Sequence, residues 1–169
     1  MRSGWTDRLG GCALTIVAVA VAPPALAESA SRASLTPRDA AAVELARQGA
    51  AHRLQDAGCR RILSDFHDAS GRTLERNLEE WAMGPAEYVR IVPFVDGSGE
   101  RLCQSSKVAL VSTPHVPRVV VCPAFGGVQR STPGLAECLV IHEVLHTLGL
   151  GENPPASAEI TRRVEERCR

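Results

Sequence analysis

The chain has 169 residues, is 44% hydrophobic and only 4% aromatic, and carries 19 basic and 19 acidic side chains for a formal net charge of zero. That balance gives no electrostatic case for a nucleic-acid or anionic-membrane partner. The length fits one domain around one core, expected to be a monomer.

Arg2 and Arg8 precede an apolar stretch over residues 12–22, followed by Pro23, Pro24 and Ala25-Leu26-Ala27. A charged start, a short apolar run and an A-x-A site read as a secretory signal peptide. The run is too short to span a bilayer. Residues 1–27 are therefore expected to be removed, leaving a secreted or periplasmic domain over 28–169 with no membrane attachment. Losing Arg2, Arg8 and Asp7 leaves that domain one charge negative. Five cysteines remain: Cys59, Cys103, Cys122, Cys138 and Cys168. In an oxidising compartment most should pair. Cys103 and Cys122 flank an expected hairpin and are paired here. Cys59 is paired with Cys168, leaving Cys138 over.

Thr36 and Pro37 form an N-cap and first-turn pair with Asp39 behind them, predicting a helix that runs to residue 57 and stops at Gly58. Residues 60–66 read as a short strand and 69–71 as a turn. A second helix is expected over 73–83, ended by Gly84-Pro85. Residues 88–95 are β-rich, with Pro93 suggesting an edge or bulge, and 96–99 form a loop. Residues 107–112 and 118–122 read as strands joined by 113–117 into a hairpin. Phe125-Gly126-Gly127 reads as a loop or lid. Thr132-Pro133 opens a helix ending at Leu148 before Gly149, and residues 155–168 form a charged final helix. The pattern is α+β: a mixed or antiparallel sheet packed on a central helix, with N- and C-terminal helices and disulfide staples.

The central helix carries His142-Glu143-Val144-Leu145-His146. At about 100° per residue, His142 and His146 lie roughly 40° apart and can reach one metal ion. Glu143 is too far round to share that stripe but is placed to bond a metal-bound water. Zinc brings the pKa of such a water toward about 7, and a carboxylate can take its proton and pass it to a leaving amine. Val140, Ile141, Val144 and Leu148 cover one face, while Leu135, Cys138, Leu139 and Leu145 flank the histidines. A helix apolar nearly all round is buried, and buried imidazoles and a carboxylate need partners. A metal and a water would serve. The alternative is a histidine pair held by carbonyls, with Glu143 reaching an arginine.

Zinc takes three protein ligands and a water in catalytic sites. The continuation through Gly149 to Glu152 resembles the metzincin branch of the zincin metallopeptidases, whose pattern is HExxHxxGxxH, sometimes with Asp last. Gly149 matches the glycine that turns the chain back, and Glu152 stands where the third ligand does. The resemblance covers residues 142–152. It implies a zincin-like fold and a zinc endopeptidase acting on a protein or peptide substrate. Its site would be His142, His146 and Glu152 on Zn2+, with Glu143 as general base. Glu replaces the family's His or Asp, and no Met or Tyr follows Glu152 to supply the methionine turn or the tyrosine some members use. A gluzincin-type alternative takes its third ligand from the last helix, where Glu159 stands ahead of Glu165 and Glu166. Two non-peptidase readings also remain: a binding protein with a structural metal, and a hydrolase of non-peptide amides.

Cys138 lies one turn before His142 on the same face, as a core residue or a thiolate ligand. His115, in the hairpin turn, is a candidate for substrate binding or oxyanion stabilisation, or is simply exposed. His52 and His67 read as surface residues, Asn153 as a partner for Glu152 or a turn cap, and Arg162 and Arg163 as a solvated face.

Overall fold

The computed structural model describes residues 34–104 and 107–169. The expected signal peptide lies outside the described residues.

Helix α1 (Pro37–Arg53) begins as predicted: Thr36 Oγ1 accepts the Asp39 N–H at 3.2 Å, and Pro37 takes the first turn. Its buried face is Ala42, Val43, Ala46, Ala50 and Ala51, small side chains that let other helices approach closely. It ends four residues earlier than expected. Asp56 caps a new short helix, α2 (Ala57–Arg60), by accepting the Gly58 and Cys59 N–H groups. The expected strand over 60–66 is instead the end of α2 followed by α3 (Ile62–Asp65). Its buried residues Cys59, Ile62, Leu63 and Phe66 follow the i, i+3, i+4, i+7 spacing of a helix face.

Thr73 caps α4 (Leu74–Glu79), shorter than expected. Gly84-Pro85, read as a stop, is the start of the next helix: α5 (Pro85–Ile91) has Gly84 at its N-cap and Pro85 in its first turn. Of the expected β-rich run only Phe94 and Val95 are in a strand, β1 (Phe94–Asp96), which also takes in Asp96 from the expected loop, while residues 88–91 belong to α5. A single 3-10 turn (Arg101–Gln104) follows.

The predicted hairpin forms from β2 (Leu110–Ser112) and β3 (Val119–Val121), antiparallel with Val111 opposite Val120. Strand β1 joins β3 in parallel, giving a three-stranded mixed sheet of order β1-β3-β2. Phe125-Gly126-Gly127 is no loop: it opens α6 (Phe125–Ser131), with Phe125 buried. A Cβ at Gly126 would make only ordinary contact, 3.4 Å, with the Asp39 carboxylate of α1. Then come α7 (Pro133–Thr147) and α8 (Ser157–Arg167).

Helix α7 is the hub. It packs against α1, α6, α8, β2 and β3, and its residues from Val140 to Thr147 are all buried. Both expected disulfides are present, Cys59–Cys168 and Cys103–Cys122, and Cys138 is free and buried. Arg53 of α1 adds an ion pair to Glu137 of α7 at 2.5 Å and donates to the Cys168 carbonyl. Among the described residues no helix is long and apolar enough to cross a membrane.

Candidate metal centre

His142 and His146 sit one turn apart on α7 and are 3% and 4% exposed. Their Nε2 atoms are 3.0 Å apart. Beyond the helix, Gly149 adopts a φ of +112° and reverses the chain, a conformation open to glycine. The reversal brings Glu152 back to the histidines. Its Oε1 lies 3.4 Å from His146 Nε2 and 3.8 Å from His142 Nε2. Among the described residues His142, His146 and Glu152 are the one group of three such donors, all within 4.8 Å of one another, that could hold a metal ion.

The hydrogen bonds around the rings test how well the cluster suits a cation. His146 Nδ1 lies 2.7 Å from the Leu150 carbonyl oxygen. A carbonyl only accepts, so Nδ1 carries the proton and Nε2 is the ring nitrogen turned toward His142 and Glu152. His142 Nδ1 lies 2.9 Å from Thr161 Oγ1 of α8. A hydroxyl both donates and accepts. Without an ion, Thr161 can donate to Nδ1 while His142 Nε2–H donates to His146. With an ion, Thr161 accepts from Nδ1–H and both Nε2 lone pairs are free. Burial first, and then the neighbouring His146, bring the His142 pKa down to about 4, so the ring is neutral as a ligand must be. The donor set therefore fits a divalent cation.

Glu143 is 8% exposed and faces strand β2. Burial pushes its carboxyl pKa up, while the His146 ring and Ser112 act in the opposite direction. Ser112 Oγ is itself buried without a hydrogen-bond partner, so it lies near Glu143 outside bonding geometry. Of the alternative reading, one half is present, a carbonyl holding His146; among the described residues no arginine pairs with Glu143. Glu143, His146 and Glu152 line one cleft of about 320 Å³ with Val108, Leu110, Val111, Ser112, Pro114 and Ser157.

Glu159 is drawn away from the cluster: its carboxylate is shared by Arg162 at 2.9 Å and Arg163 at 2.7 Å. Arg162 also pairs with Glu166. Cys138 stays a core thiol, its pKa raised by burial, outside the donor group. His115 does not line the cleft, contrary to its candidacy for substrate or oxyanion contact. Its backbone N–H donates to the His146 carbonyl at 3.2 Å, and its ring fills the space beside Gly149. There it lines a separate cavity of about 80 Å³ with Asn77, Trp81 and Thr147. His52 and His67 are exposed as expected, and Asn153 donates its backbone N–H to Pro155 O.

Two partners of the cluster, Thr161 and the Leu150 carbonyl, and one neighbour, Ser112, escape sequence reading. Thr161 stands 19 residues from His142, beyond any local spacing rule, and a carbonyl has no residue-type signature. No family model, curated protein or solved structure matches the chain.

Proposed function

We propose that this chain is an exported zinc-dependent peptidase that binds its metal through His142, His146 and Glu152 and uses Glu143 as general base. One observation carries the reading: three metal-type donors converge beside a buried glutamate on the wall of a cleft. Two imidazoles and a carboxylate form a set that zinc accepts, and the metzincin-like spacing from His142 to Glu152 accords with it. The two disulfides support an oxidising compartment, and a charge balance of zero argues against nucleic acid as partner.

When bound, zinc supplies a Lewis acid that acidifies water and polarises a carbonyl. Glu143 removes a proton from the attacking water and returns it to the leaving nitrogen. Strand β2 stands at the sheet edge and lines the cleft, so an extended peptide can add to it as a further strand. Apolar Val108, Leu110, Val111 and Pro114 give its side chains a surface to bury.

The test begins with the metal content of the purified protein, followed by casein digestion with and without a chelator. Glu143→Gln should keep the metal and lose hydrolysis by about 100- to 10,000-fold. A protein that binds no divalent metal, or a variant as active as wild type, overturns the reading. A protein that binds metal yet cleaves nothing, with or without Glu143, is the binding protein with a structural site.

A further inference from the structure

We infer that Asn77, held by Asp68, is a positioning residue for His146, acting through the turn that follows the motif helix. The inference rests on the metal-site reading above for its purpose, and on geometry alone for its substance.

The loop after α3 folds around one carboxylate. Asp68 Oδ1 accepts the Ser70 N–H at 2.8 Å, the Ser70 hydroxyl at 2.6 Å and the Arg72 N–H at 3.1 Å. Its Oδ2 accepts from Arg72 Nε at 3.3 Å and from Asn77 Nδ2 at 3.0 Å. The same Asn77 Nδ2 donates to the Leu148 carbonyl at 2.8 Å. Both partners only accept, so the amide orientation is forced. Asn77 Oδ1 has no protein partner. The side chain is held by its two N–H bonds.

Those bonds bear directly on the metal cluster. Leu148 is the last residue before Gly149, and Leu150 forms a single β-bridge with Asp68. Leu150 supplies the carbonyl that fixes His146 Nδ1. Asn77 and Asp68 thus grip the turn on both sides of Gly149, and the turn in turn sets the tautomer and angle of the ring. Loss of such outer partners of a ligating histidine weakens metal binding by about 10- to 100-fold.

The decisive readout needs neither metal nor substrate: solvent exchange of the His146 Nδ1 proton in the metal-free full-length protein, measured by NMR. Asn77→Ala should speed that exchange measurably over wild type, and Asn77→Ser carries the measurement if the alanine variant does not fold. Leu78→Ala, a core truncation one residue on, is the stability control and should leave the exchange near the wild-type rate. Unchanged exchange in the Asn77 variants, or an equal rise in Leu78→Ala, overturns the inference. Zinc titration of the same proteins separates the two claims. A wild type that binds no zinc sinks the metallopeptidase reading while the exchange result still judges Asn77. In a wild type that does bind, an Asn77→Ala affinity equal to wild type overturns the inference.

Discussion

Gly149 shows how much one residue decides. Its φ of +112° is strained for any side chain, and a Cβ there would also overlap the His115 ring. The glycine is needed twice, once for the turn and once for the close approach of the hairpin. Gly149→Ala should therefore destabilise the fold by about 1–3 kcal/mol and also draw Glu152 away from the histidines. Urea unfolding checks the first and zinc titration the second; a variant that loses neither would show that the chain reaches Glu152 by another route. Thr161 is the complementary case, because it touches a ring and not the backbone. Thr161→Val keeps the shape of the side chain and removes the hydroxyl at His142 Nδ1. Zinc affinity should fall by about 10- to 100-fold with little change in unfolding midpoint. Equal affinity in both proteins would assign the Thr161 contact to α8 packing alone.

At the scale of the element, legibility followed the strength of local signals. The Thr36-Pro37 cap, the Thr132-Pro133 start, the all-apolar α7 and the β2–β3 hairpin could be read because cap, periodicity and turn residues agree there. The region 60–66 misled because a short apolar run suits strand or helix. The i, i+3, i+4, i+7 spacing from Cys59 to Phe66 was the better guide. Gly84-Pro85 misled for a different reason: glycine then proline ends one helix and starts another equally well. The turn at 69–71 could be read and is present, but the part Asp68 plays in it could not, because one carboxylate there collects scattered donors. That loop makes acid sensitivity a property of an element. Hydrogen bonds from Ser70 and Asn77, aided by Arg72, hold the Asp68 carboxyl below its ordinary range although burial opposes them. Its side chain is 1% exposed. A folded-state pKa below the unfolded value of about 3.9 gives stability that is complete above that value and is lost as pH falls through the folded pKa. Urea midpoints measured from pH 6 down to pH 2 should fall in wild type below about pH 4. In Asp68→Asn the unfolding free energy should start lower, by about 2 kcal/mol, and the midpoints should fall less steeply. Parallel curves would show that Asp68 has no part in acid unfolding.

For the whole molecule, the question is what keeps α8 against α7, since α8 brings Thr161 to His142. The eleven-residue helix α8 has Ile160 and Val164 as its fully buried side chains, so apolar burial is a modest part of what holds it. Along the helix Thr161 meets His142 and Arg163 lies over the Phe66 ring at 5.2 Å, and at its far end are the Cys59–Cys168 disulfide, Arg53 on the Cys168 carbonyl, and the Arg167–Asp65 ion pair at 2.7 Å. The two disulfides differ in reach, closing separations of 109 and 19 residues. In the loop-entropy account the stabilisation grows with loop length, to about 4.7 kcal/mol near 100 residues against about 3 kcal/mol near 15. Replacing Cys59 and Cys168 together by alanine should therefore cost more stability than replacing Cys103 and Cys122 together. It should also lower zinc affinity, because loosening α8 moves Thr161 off His142 while the Cys103–Cys122 bridge touches neither ring. Urea unfolding and zinc titration on both double variants give four numbers. A Cys103/Cys122 variant that loses more metal affinity than the Cys59/Cys168 variant would place the control of the centre in the hairpin instead of in the last helix.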